Sequence, residues 1–89
     1  MNDQAKADTI ILRKNNRVVY FVPTPENHDL NALWVEEQSD RIHSAWVNLS
    51  EDIAMYERRG YTKVTEPIPD VMKTFIESRL VQGPVFRQL

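Results

Sequence analysis

Apolar and β-branched residues gather near the N-terminus in two short runs, residues 9–13 (TIILR) and 17–22 (RVVYFV), separated by Lys14-Asn15-Asn16. Asparagine tolerates positive φ better than other residues that carry a Cβ. Asn15-Asn16 therefore suits a tight primed turn, and the two runs predict an antiparallel hairpin. Pro23 and Pro25 are expected to stop its second strand. A two-residue turn sets Leu12 opposite Val19, Ile11 opposite Tyr20 and Ile10 opposite Phe21. One face then carries Ile10, Leu12, Val19 and Phe21; the other carries Ile11, Arg13, Val18, Tyr20 and Val22. An antiparallel sheet with one wet face alternates apolar and polar positions, whereas this hairpin is largely apolar on both. Either two helices cover opposite faces of the sheet, or the face of Tyr20 is a contact surface for another molecule.

Residues 26–49 admit two readings. Asp29 can cap a helix holding Leu30, Leu33 and Trp34, but that apolar stripe fails at Glu37, Gln38 and Arg41. A second hairpin fits better, with residues 33–37 paired to 41–47 around Ser39-Asp40. It sets His43 opposite Glu36, Trp46 opposite Leu33 and Trp34 opposite Ala45, which places the two tryptophans on opposite faces.

The helical signals that follow are plainer. Asn48 or Ser50 can cap a helix, and Glu51 stands three residues after Asn48, a capping-box spacing. Glu51 and Asp52 fall in its first turn and Arg58 and Arg59 in its last, as the helix dipole favours. Gly60 stands at the stop position. Leu49, Ile53 and Tyr56 mark the inward face, and residues 61–65 predict a short strand. Pro67 and Pro69 form a stiff connector, and Pro69 or Asp70 opens a last helix. Its stripe is Met72, Phe75, Ile76 and Leu80, and Gly83-Pro84 is expected to end it. Residues 1–7 read as a flexible tail and residues 85–89 as a C-terminal tail or an edge strand. The fold expected is α+β: one small domain over residues 8–84, with an antiparallel sheet of three to five strands and two helices.

Composition narrows the function without naming it. Eighty-nine residues can fill one hydrophobic core but not two. The absence of cysteine excludes a disulfide scaffold, thiolate metal sites and thiol catalysis, and two glycines leave no phosphate-cradling loop. No apolar run approaches the roughly 18 residues of a transmembrane helix. The polar first eight residues lack a secretory signal, so a cytoplasmic location and no membrane contact are expected. The sequon Asn48-Leu49-Ser50 is accordingly read as helix capping. His28 and His43 lack metal-ligand spacing, and the serines lack a nucleophile elbow. Glu36 and Glu37 are neighbours on a strand and point to opposite faces. No cofactor, no metal and no catalysis are expected.

Charge suggests where a partner would bind. From residue 24 to residue 52 seven acids stand against one base, Arg41, a balance of −6 in a chain whose net charge is −2. Such a surface can meet a basic groove on another protein. Trp34, Glu36, Glu37 and Asp40 are the candidate partner-binding residues, with Tyr20 as a second apolar anchor and Arg13 beside it. Basic residues form a rival set for nucleic acid: Arg13, Lys14, Arg17, Arg58 and Arg59, with Lys63 and the rings of Tyr20 and Tyr61 nearby. Arginines at a helix end and cations at a turn tip have ordinary structural uses, so nucleic acid ranks behind a protein partner, foreign or a second copy of this chain.

Residues 44–49 (SAWVNL), the helix ending Tyr56-Glu57-Arg58-Arg59-Gly60 and the strand Tyr61-Thr62-Lys63-Val64 form a strand, helix, Gly-aromatic-strand run over about a quarter of the chain. The run, within residues 44–66, resembles small proteins of tailed bacteriophages. The resemblance implies a phage or prophage setting, in the host cytoplasm or the virion. It points to a phage-encoded inhibitor or adaptor of a host protein, or to a virion decoration or assembly protein.

Overall fold

The computed structural model describes residues 9–24 and 30–82. The expected tails at 1–7 and 85–89, the Gly83-Pro84 stop, Pro25 and His28 lie outside these residues. The elements are β1 (Ile10–Lys14), β2 (Arg17–Pro23), β3 (Ala32–Gln38), β4 (Arg41–Val47), α1 (Leu49–Arg58), β5 (Thr62–Val64) and α2 (Asp70–Gln82). The strands make one antiparallel sheet in the order β4-β3-β2-β1-β5. This is the α+β domain that the periodicities predict, and residues 32–47 are a hairpin rather than a helix.

Both hairpins close through two-residue turns, Lys14 facing Arg17 and Gln38 facing Arg41. In each, the first turn residue takes positive φ, Asn15 at 56° and Ser39 at 55°. That sign matches the right-handed twist of the flanking strands. Strand β2 ends at Pro23 as expected, with the proline itself as its last residue, paired with Ala32. The first residue of β1, Ile10, faces Phe21, so β1 has ended before it reaches Pro23. The missing N–H of Pro23 falls on that vacated side and costs the ladder nothing.

The period of two sends the residues of each strand to two small cores, one on each face of the sheet, which corrects the expectation of a single core: the same strands line both, so each needs only one helix to close it. Ile11, Tyr20, Val22, Leu33 and Val35 pack with Met72 and Ile76 of α2, and Val18, Ile42, Trp46, Phe75 and Leu80 border them. Leu12, Val19 and Phe21 pack with Tyr56 and Tyr61, bordered by Trp34, Val47, Leu49, Ile53 and Met55. Helices thus cover both faces, which explains why the first hairpin is apolar on both. Of the two alternatives for the Tyr20 face, the covered one holds.

Helix α1 is fixed at each end by side chains from outside its own span. The Asn48 side chain accepts a hydrogen bond from the Glu51 N–H at 3.1 Å, and the Asn31 side chain accepts one from the Leu49 N–H at 2.8 Å. Two of the unpaired amides of the first turn are thereby satisfied. At the other end Lys14 Nζ donates to the Arg59 carbonyl at 2.7 Å, placing a cation at the negative pole of the helix. Gly60 follows at φ 99° and lets the chain turn into β5.

Candidate functional site

The expected acidic surface does not form as one patch. Glu36 is only 3% exposed and lies on the α1 face, 3.6 Å from Arg17. Register explains this: Val19 of β2 stands beside Glu36, so Arg17, two residues earlier, reaches it along the same face. His43 stands opposite Glu36 as expected, yet the ion-pair partner of Glu36 is Arg17. Glu37 is exposed on the other face, and Asp40 is exposed at the turn. Two of the three acids thus remain available, on separate surfaces.

Tyr20 is 3% exposed beneath α2 and cannot serve as a surface anchor. Burial, ahead of the charge of Glu66, pushes its phenol up. Arg13 lies on the same face and makes a two-pronged pair with Glu66, Nε to Oε2 at 2.8 Å and Nη2 to Oε1 at 2.7 Å. Hydrogen bonding from Arg13 holds the Glu66 carboxyl below the usual carboxylate range. Arg13 therefore pins β1 to the connector before α2, instead of joining either candidate surface. Trp34 is half-buried and donates its indole N–H to the Tyr56 hydroxyl at 3.0 Å.

The basic set divides. Lys14, Arg17 and Arg59 line one shallow cleft of about 380 Å³ with Asn15, Asn16 and Tyr61. Arg58 is exposed in the last turn of α1, and Arg13 points to the opposite face. Two of the three cations of the cleft have an internal task or neighbour: Lys14 caps α1 and Arg17 faces Glu36. The Tyr61 ring packs edge-on against Tyr56 with centroids 4.9 Å apart, and the residue is 8% exposed. The cleft offers charge for a phosphate but no open ring for a base.

The outer edge of β4 is the larger unpartnered feature. Strand β4 borders the sheet, and nothing among the described residues pairs with its far side. The direction of its amides follows from one contact. The Thr24 N–H donates to the Asn31 carbonyl at 2.9 Å, so odd-numbered residues of this chain segment bond toward β2. The even-numbered residues Ala32, Trp34, Glu36 and Gln38 then bond toward β4, where their partners are Val47, Ala45, His43 and Arg41. Ile42, Ser44 and Trp46 are left with their N–H and C=O groups pointing outward.

A second cleft, about 490 Å³, opens where β4 meets α1, lined by Leu30, Val47, Asn48, Glu51 and Asp52. Burial and then the charge of Glu51 push the Asp52 carboxyl up. Among the described residues, no group of three His, Cys, Asp or Glu is arranged to hold a metal ion. Among them, too, no helix is long and apolar enough to cross a membrane.

Sequence reasoning counted the two acids of this cleft in the acidic segment and as helix-start residues but not as part of a site, and it did not single out Ile42 or Ser44. The signal was present in β4 itself, a seven-residue strand without lysine or proline, but its meaning depends on β4 being an edge. Searches against family models, curated proteins and solved structures return no match to this chain.

Proposed function

We propose that this protein is a non-catalytic protein-interaction module whose binding surface is the free edge of β4. One observation carries the reading. A full seven-residue strand presents the outward N–H and C=O groups of Ile42, Ser44 and Trp46, and no lysine, proline or bulge blunts it. Such an edge is a template for a strand from another chain. The half-buried Ile42 and Trp46 give that strand apolar contacts on the α2 face, and Arg41 and His43 are exposed on the other. The narrower settings, a phage-encoded inhibitor or adaptor or a virion assembly protein, draw support from the resemblance of residues 44–66 alone.

Amide exchange in dilute solution tests the edge. The N–H groups of Ile42, Ser44 and Trp46 should exchange freely, and those of His43 and Ala45, bonded to β3, should be protected. Equal protection of both sets in the monomer would show that the chain itself covers the edge, and would refute the reading.

Nucleic-acid binding is a second reading, favoured by the convergence of Lys14, Arg17 and Arg59 on one cleft. It predicts binding to a single-stranded oligonucleotide that weakens with salt and with Arg59→Glu. A flat titration at low salt excludes it.

A further inference from the structure

We infer that the occupant of the β4 edge is β4 of a second copy of this chain, paired antiparallel about a two-fold axis through Ser44. This deepens the edge reading above and depends on it. A two-fold axis perpendicular to a sheet keeps each side chain on its own face, so a self-paired strand must match positions of the same parity. Ser44 is the midpoint of Arg41–Val47. Centring there aligns the whole strand and sets its three outward-bonding residues, Ile42, Ser44 and Trp46, against Trp46, Ser44 and Ile42 of the second copy. A centre at His43 or Ala45 keeps the bonding parity but sets Ser44 against Ile42 or Trp46 and leaves two residues of each strand unpaired, and a centre at Ile42 or Trp46 runs half of the strand past its end.

Side chains agree with that register on both faces. On the α2 side Ile42 meets Trp46 of the second copy, twice by symmetry. This is an aromatic–β-branched cross-strand pair, and it covers two apolar residues that the monomer leaves half-buried. On the α1 side Arg41 stands opposite Val47 of the second copy. Val47 lines the cleft that holds Glu51 and Asp52. Among the described residues, Arg41 is exposed and forms no ion pair, and neither Glu51 nor Asp52 has a cation. The register brings the lone base of the acidic segment to the two acids at the start of α1, again twice. One strand thus supplies hydrogen-bonding parity, apolar match and charge complementarity to its own copy.

Charge reversal tests the pairing without touching the core. Arg41→Glu alone sets acid against acid at both ends of the interface, and the double variant Glu51→Arg, Asp52→Arg sets base against base. Light scattering on a sizing column should show a concentration-dependent dimer for the natural sequence. Each variant alone should weaken dimerisation roughly tenfold or more, since symmetry doubles every contact. An equimolar mixture should restore it, because each variant supplies what the other lacks. Ser44→Pro removes one outward N–H, spares the β3 ladder and should leave a folded monomer by circular dichroism.

A natural-sequence chain that stays monomeric up to roughly millimolar concentration overturns the proposal, as does a mixture no tighter than its parts. A dimer that survives Ser44→Pro unchanged overturns it too, because its interface lies elsewhere. Amide exchange separates this failure from failure of the edge reading. A monomer whose Ile42, Ser44 and Trp46 amides exchange freely keeps the edge open for a foreign strand, and one whose amides are protected loses both readings.

Discussion

Tyr56 holds α1 to the sheet, and truncating it divides that attachment into measurable parts. It is the one buried residue among those described in α1. Its ring meets Phe21 edge-on at 5.8 Å and Tyr61 at 4.9 Å, and its hydroxyl accepts the Trp34 indole N–H at 3.0 Å. Tyr56→Phe keeps both ring contacts and removes only the hydroxyl. A hydrogen bond of this kind contributes about 1 kcal/mol. The half-buried position of Trp34 lets water partly replace the partner, which keeps the cost below the ~3 kcal/mol ceiling for an orphaned buried donor. Tyr56→Ala removes the ring as well, and large-to-small core changes of aromatic residues cost about 3–5 kcal/mol. An 89-residue domain has about 4–13 kcal/mol in total, so the alanine variant should stand near the limit of folding. Urea unfolding followed by far-ultraviolet circular dichroism gives both values without relying on tryptophan emission. A cycle with Trp34→Phe should show coupling of about 1 kcal/mol for the hydrogen bond. If Tyr56→Phe costs as much as Tyr56→Ala, ring packing is not what anchors the helix. If the alanine variant loses under about 1 kcal/mol, Tyr56 does not anchor α1 at all.

Three further outcomes follow from local geometry. Gly60→Ala should lose about 1–2 kcal/mol by urea unfolding, because φ is 99° there while the added Cβ would meet Lys14 Cε at an ordinary 3.4 Å; an unchanged midpoint would contradict the strained turn. Ser39→Gly should stabilise by a few tenths of a kcal/mol, the relief of strain at φ 55° slightly exceeding the added freedom of the unfolded chain; a loss of stability would show that the Ser39 side chain has another task. Stability should fall at high pH: burial first, then Glu66 for Tyr20 and Glu36 for Tyr56, push both phenols up. Their contribution is whole below the ordinary tyrosine value of about 10 and is lost as pH rises through the higher folded values. Urea midpoints that stay flat from about pH 9 to about pH 11 would refute it.

Hairpin register and helix ends were legible because local chemistry sets them. Asn15-Asn16 and Ser39-Asp40 fix two-residue turns, and parity then determines every cross-strand neighbour, down to His43 against Glu36. Asn48 and Gly60 mark the limits of α1 in the same way. What stayed hidden depends on the pairing of β2 with β3, which no short turn encodes. Only that pairing brings Arg17 to Glu36 and turns an acid of the charged segment inward. Arg13 and Glu66 are 53 residues apart and meet through β5, whose place beside β1 follows from the packing of α1. Tyr20 could be read as buried or exposed until α2 was placed above it. Asn31, a second cap for α1, carries no signal at all, since its amide reaches Leu49 only after β3 and β4 have paired.

The two borders of the sheet are treated differently, and the contrast bears on the proposed pairing. Strand β5 has three residues, of which Thr62 and Lys63 are exposed. Shortness and a lysine are the usual means of discouraging a sheet edge from recruiting another chain. Strand β4 is more than twice as long, keeps its apolar alternation and has neither device. One chain thus supplies its own control: the same sheet, under the same pressure against aggregation, blunts one border and, among the described residues, leaves the other open. A contact that added strands without limit would need both borders open. A two-fold pairing through β4 uses up the long edge of each copy and leaves β5 at both ends of the joined sheet. Assembly then stops at two copies, and the sequence at Thr62 and Lys63 is what stops it. Lengthening β5 into an apolar strand should therefore convert a dimer into an open-ended polymer, and the same change should have no such effect on a chain whose β4 edge is closed by Ser44→Pro.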